Sequence, residues 1–219
     1  MTEFKEFASG LRFPEGPIAM PDGSVILVEI ARGTLSRCMP NGKVHVIAEL
    51  GDGPNGAAMG PDGKIYVCNN GGFEWHERNG RLMPGMAPAS YRTGSIQRVD
   101  PETGKFETLY DSCDGRKLNG PTDIVFDRTG GFWFTDLGKT REHDSDRGAV
   151  YYARPDGSSI QQMIFPLERP NGCGLSPDEK TLYVVETPTA RVWAFELSAP
   201  GQIKDANGPY RGEKGTAIA

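Results

Sequence analysis

The chain is poor in the residues on which several common enzyme chemistries depend. Its three histidines stand at His45, His76 and His143 and no GxSxG occurs, so a serine-hydrolase triad has little to build on. Cys38, Cys68, Cys113 and Cys173 lie 30, 45 and 60 residues apart, spacings of no zinc knuckle or redox pair, and four scattered cysteines in a long chain need not form a disulfide framework. A reducing, cytoplasmic setting is the expectation. Apolar runs such as Val25 to Val28 fall far short of a membrane span, and the opening MTEFKEF is charged where an export signal is basic and then apolar. No membrane partner is expected. No run of five like charges exists and 24 Lys and Arg face 29 Asp and Glu, which removes the electrostatic footprint of a nucleic-acid partner. Helical periodicity of useful length is also missing.

What the chain has is turn residues. Its 29 glycines and 17 prolines are spread evenly over 219 residues, the distribution of many short strands joined by tight turns. Aligning on proline exposes a repeat: Pro14-Glu15-Gly16, Pro54-Asn55-Gly56, Pro121-Thr122-Asp123 and Pro170-Asn171-Gly172. A turn follows each (PDG, PDG, RTG, PDEK), then an apolar strand (SVILVE, KIYVCN, GFWFTD, TLYVVE) ending in Glu29, Asn69, Asp136 or Glu186. A third strand follows in each copy, and in three copies a glycine turn leads to a fourth.

Residues 71–93 interrupt the second copy as an insertion rich in aromatic and methionine side chains, read equally well as a lid or as a packed loop. Without it the units run roughly 40 to 50 residues, the period of a β-propeller with four-stranded blades. The expectation is one all-β domain over 1–219, with blades starting near 14, 54, 121 and 170 and a tail over 201–219 leading toward a further blade. First strands line a propeller's channel, so Glu15, Asn55, Thr122 and Asn171 are predicted to converge there. The acid or amide closing each second strand recurs in every copy, which marks it as a structural cap, whereas the residue after the proline changes from copy to copy, as one shared site requires.

The motifs PEGP, PTD before a strand and FTD, and above all RPNGCGLSPDEKTLYVVET (Arg169 to Thr187) resemble the SMP-30/gluconolactonase/luciferin-regenerating-enzyme family of six-bladed propellers. The resemblance covers almost the whole chain. It implies hydrolysis of a sugar lactone or similar cyclic ester, and a divalent metal held by Glu15 and Asn171, with Thr122, Asp123 and Asn55 binding substrate. The family's asparagine before Asp123 is Thr122 here, which keeps an oxygen but removes the amide donor. The family's third metal ligand and general base, an aspartate, is expected beyond the last residue, so about four of six blades are counted and the catalytic base is left unknown. A chain stopped early would also leave blade edges open to self-association. The competing readings are a non-catalytic binding module and a fragment completed by another chain.

The chemistry of the slots stands beside the resemblance. A carboxylate with amide and hydroxyl oxygens suits a hard cation. Ca²⁺ is the first choice, and Mg²⁺, Mn²⁺, Zn²⁺ and Fe²⁺ stay open. Such an ion polarises a lactone carbonyl and acidifies water. Two other motifs carry nothing: GDGPNG from Gly51 satisfies GxGxxG but a turn follows where a helix must open, and DSDRG from Asp144 lacks a carboxylate at loop position twelve, where Pro155 stands.

Overall fold

The computed structural model describes residues 4–204 and 215–218, and among them there are 21 strands and no helix. Accordingly, no described helix is long and apolar enough to cross a membrane. The first sheet is a meander of β1 (Pro14–Ala19), β2 (Val25–Glu29), β3 (Thr34–Cys38) and β4 (Val44–Glu49). In the second, β5 (Pro54–Met59) and β6 (Ile65–Asn69) are followed by a separate hairpin, β7 (Trp75–Arg78) and β8 (Arg81–Pro84), before β9 (Ser95–Val99) and β10 (Phe106–Tyr110) complete the sheet. The hairpin is the core of the insertion. A two-residue pair, β11 (Ser112–Cys113) and β12 (Arg116–Lys117), leads to the third meander: β13 (Pro121–Phe126), β14 (Phe132–Asp136), β15 (Gly148–Ala153) and β16 (Ile160–Leu167). The fourth holds β17 (Pro170–Leu175), β18 (Thr181–Glu186) and β19 (Arg191–Ala199), and β19 pairs with both β20 (Gln202–Ile203) and β21 (Thr216–Ala217). Of the tail predicted over 201–219, residues 205–214 and 219 lie outside the described residues.

Strand alternation builds the stack. Successive side chains point to opposite faces, so a strand apolar throughout has two faces to bury. Ile26 and Val28 of β2 share one core with Ile65 and Val67 of β6. The other face of β6, Tyr66 and Cys68, joins Phe132 and Phe134 of β14 in a second core. Trp133 on the far side of β14 meets Leu182 and Val184 of β18 in a third. Each of these side chains is fully buried, at about 1.5–3 kcal/mol for a large apolar group. At the ends the pattern stops: Tyr183 and Val185 on the free face of β18 are 37% and 40% exposed, while Val25 and Leu27 at the other end line a cavity together with Phe7 and Leu11.

The first strands of successive sheets lie side by side. Two glycines of the repeated frame permit this: a Cβ on Gly16 would fall 2.5 Å from the Ala57 amide nitrogen, and one on Gly56 2.2 Å from the Thr122 carbonyl oxygen. Any side chain at either position would push neighbouring sheets apart.

The residue closing each second strand clamps the loop that enters the first. Glu29 accepts from the Arg12 amide at 2.8 Å, Asn69 from Gly53 at 3.0 Å, Asp136 from Asn119 and Gly120 at 2.7 Å each, and Glu186 from Glu168 at 2.7 Å. The amide following the clamp then donates to the carbonyl just before the proline: Ile30 to Phe13, Asn70 to Gly53, Leu137 to Gly120 and Thr187 to Arg169, at 2.8 to 3.4 Å. The structural role read for these four residues is thus what their hydrogen bonds show. Asp136 is the most heavily used, since it also accepts from Gly138 at 2.9 Å. Asp136→Ala would strand three amides in a dry interior and is expected to lower the unfolding free energy by about 2–4 kcal/mol. A urea titration of the variant against the parent protein measures it, with a loss under about 0.5 kcal/mol contradicting the clamp.

Candidate functional site

Each clamped loop delivers its proline and the residue after it to the same end of the stack. The proline pairs with the clamp residue (Pro14 with Glu29, Pro54 with Asn69, Pro121 with Asp136, Pro170 with Glu186), and register shifts directly after the proline in the second, third and fourth sheets and one residue later, after Glu15, in the first. Asn55, Thr122 and Asn171 therefore sit in an irregular step of the ladder, where a bulge re-aims a side chain, and Glu15, paired with Val28, borders one.

Three of the four slot residues face one cavity of ≈ 250 Å³: Glu15, Asn55 and Asn171. They come from three different sheets. Asn55 is buried whereas Glu15 and Asn171 are solvent-exposed at the rim. Thr122, the fourth, is buried and absent from the lining, its hydroxyl donating to the Gly120 carbonyl at 2.8 Å. Asp123 occupies the place that glycine holds in the other three copies and also stands behind the lining. Its two carboxylate oxygens accept from the Cys173 amide at 2.8 Å and the Ile124 amide at 2.9 Å, which ties the third sheet to the fourth.

Burial raises the pKa of Glu15 above its ordinary 4.5, a bond from the Gly16 amide opposes the rise, and the charge of Asp123 adds to it. Asp123 is itself raised by burial, with the Cys173 and Ile124 amides pulling the other way. The charge of Asp123 thus reaches Glu15, and a cation beside Glu15 would favour its ionised form. Among the described residues no three His, Cys, Asp or Glu side chains cluster, so a cation at this cavity would rest on one carboxylate together with amide oxygens.

The rest of the lining lay outside the sequence reading. Phe13 and Arg169 precede the first and fourth prolines, and both adopt left-handed backbone, with φ of 58° and 49°. Ile30, Leu137 and Thr187, whose amides hold the first, third and fourth loops, line the cavity too. The insertion supplies Phe73, Pro84 and Gly85. Its Trp75 packs on Phe13 at a ring separation of 5.1 Å and on Phe73 at 6.1 Å. The signal that could have found Phe13 and Arg169 was the residue before each proline, which varies as the residue after it does.

Behind Phe73 stands a buried lysine. Lys139 is 2% exposed, its Nζ lies 4.3 Å from the Phe73 ring centroid and 5.3 Å from that of Tyr91, and it donates to the Gly72 carbonyl at 2.5 Å and to Asn70 Oδ1 at 3.2 Å. Both contacts pin the start of the insertion to the third sheet. Burial lowers its pKa from 10.5 to about 7, the charge of Asp136 works against this, and Arg169 adds to the lowering. Between about pH 7 and 10.5 the unfolded chain keeps a proton that the folded protein has released, so this group makes stability rise with pH across that window. The difference in unfolding free energy between the parent protein and Lys139→Met is expected to shift in the parent's favour by on the order of 3 kcal/mol from pH 7 to 10.5. Denaturant titrations at each pH measure it, and a pH-independent difference would show that Lys139 keeps an ordinary pKa.

Comparison with known proteins places this geometry. A model of the SMP-30/Gluconolactonase/LRE-like region matches residues 13–217. The chain is 29% identical to a gluconolactonase of Zymomonas mobilis, over 91% of this chain and 56% of that protein, and 31% identical to lactonase drp35 of Staphylococcus saprophyticus, over 82% and 49%. It spans about half the length of these relatives. Among solved structures, a gluconolactonase of Xanthomonas campestris superposes with a TM-score of 0.68 at 26% identity, covering 89% of this chain and 61% of that one. The calcium-binding protein regucalcin of Agrobacterium tumefaciens gives 0.65 at 18% identity, covering 96% and 60%, a likeness of fold alone.

Proposed function

The chain belongs to the SMP-30/Gluconolactonase/LRE-like family, and from that membership we propose that its cavity hydrolyses a sugar lactone or similar cyclic ester with the help of a divalent metal. The observation that carries the proposal is the convergence of Glu15, Asn55 and Asn171, remote in sequence, on one cavity. The gluconolactonase and lactonase names of relatives near 30% identity support the substrate class. On this reading the four sheets are blades of a six-bladed type of propeller, stacked face on face, and the four free thiols fit a reducing, cytoplasmic setting.

The donor set fits a hard cation: a carboxylate and two amide carbonyls, with no imidazole or thiolate in the lining. Glu15 and Asn171 would hold it, with Ca²⁺ the first candidate. When bound, such an ion supplies Lewis acidity toward the lactone carbonyl and lowers the pKa of water. The protein's own share is placement. Asn55 and Asn171 offer amide donors and acceptors to ring hydroxyls, Phe13 and Phe73 give an apolar wall for the C–H face of a sugar ring, and Pro84 and Gly85 narrow the entrance. Thr122 and Asp123 act on substrate from behind this wall, by fixing the loops that carry it. In hydrolysis water adds at the acyl carbon and the ring C–O bond breaks, leaving a hydroxyl and a carboxylate. The general base is assigned to none of the described residues.

Glu15→Gln is expected to weaken Ca²⁺, Mg²⁺ or Mn²⁺ binding by about 100-fold and to remove chelator-sensitive lactone hydrolysis to a similar degree. Because the carboxylate must be ionised to serve as ligand and its pKa is raised, metal affinity should fall on acidification with a midpoint above 4.5. Titration calorimetry and a lactone assay with and without EDTA test this. Turnover that neither EDTA nor the substitution changes would sink the metal-assisted reading.

A further inference from the structure

Among the described residues that line the cavity, Arg169 is the only cation and Glu15 the only anion. Its guanidinium makes no ion pair among the described residues, and one nitrogen alone is engaged, donating to the Thr140 hydroxyl. Its remaining N–H groups are donors that a ligand in the cavity can engage. Its backbone is costly: φ of 49° immediately before Pro170 lies outside the extended region that a residue preceding proline prefers. Two bonds enforce it, from the Thr187 amide to the Arg169 carbonyl at 3.4 Å and from the Glu168 amide to Glu186 at 2.7 Å. The corresponding residues of the second and third sheets are glycines without positive φ, and Phe13 in the first is the one other residue turned this way. The side chain is thus held at the cavity by the frame itself.

We infer that Arg169 is the specificity-determining residue of this cavity, selecting lactones that carry a second carboxylate, the lactones of sugar diacids, over neutral sugar lactones. This rests on the lactonase reading. A planar guanidinium with free parallel N–H groups matches a carboxylate in two-point geometry, which a hydroxyl or a lactone carbonyl cannot reproduce. A cation on Glu15 would leave the lining net positive, which further favours an anionic substrate over a neutral one.

The test compares kcat/KM for a sugar-diacid lactone and for the neutral lactone of the same ring size, using the whole chain, Arg169→Met and Arg169→Lys. The parent is expected to prefer the acidic lactone, and Arg169→Met to lose about 10- to 100-fold on it while changing less than about threefold on the neutral one. Arg169→Lys should recover part of that loss. Equal losses on both lactones, or a parent without acidic preference, would overturn the inference. If Arg169→Met does not fold, as thermal melting would show, Arg169→Gly suits the left-handed backbone and replaces it. A second arm needs no turnover: titration calorimetry in EDTA with an open-chain sugar dicarboxylate and with the matching monocarboxylate. Tighter binding of the dicarboxylate by the parent, lost in the variant, supports Arg169 even if no lactone is hydrolysed, in which case the lactonase reading alone fails; equal binding of both acids overturns the role of Arg169.

Discussion

The fold and the cavity both depend on a buried side chain that reaches from the end of one strand to the loop entering its neighbour. Glu29, Asn69, Asp136 and Glu186 are all almost fully buried, and each satisfies backbone amides that have no other partner in the ladder. Once that bond is made, the next amide in sequence holds the carbonyl before the proline. The proline cannot swing, because its φ is fixed by its ring. Four loops are thereby locked by the same pair of bonds, and their slot residues inherit the lock.

Such a repeat creates symmetry, and a reaction site needs symmetry to be broken. The breaks are local: Phe13 and Arg169 in place of glycine before the proline, Glu15 in place of an amide after it, Asp123 in place of a glycine two positions on. Asp123 shows how one replacement does two things. Its carboxylate bonds the Cys173 amide and so replaces packing with a bridge between sheets, and its charge reaches Glu15. The insertion breaks symmetry a second way, bringing Phe73 and Pro84 to one side of the cavity only.

Most of this frame was legible in the sequence because it is written in period-two alternation, turn glycines and a repeated proline, all of which are local signals. The strands of all four sheets follow from them, and so does the role of the clamp residues, since recurrence in every unit is what a structural bond predicts. Two kinds of feature were not legible. The turning of Thr122 into its own loop depends on a 2.8 Å bond to Gly120, invisible in the residue's identity. The positions of Phe13, Arg169 and Lys139 depend on backbone sign and on contacts across 60 residues or more, as between Lys139 and Gly72. Proline at the next position even argues against the backbone that Phe13 and Arg169 adopt.

The bonds that hold the pre-proline loops run from amide to carbonyl, and the clamp residue answers amides rather than the slot side chains. Exchanging the slot or pre-proline side chain therefore leaves these backbone and clamp bonds in place, and only Thr122 among the slots adds a bond of its own to the loop. A lineage carrying this architecture could wander among ligands by single codon changes while its folding machinery stayed under separate selection. The rim of the cavity behaves as a keyboard whose keys are interchangeable and whose frame is not.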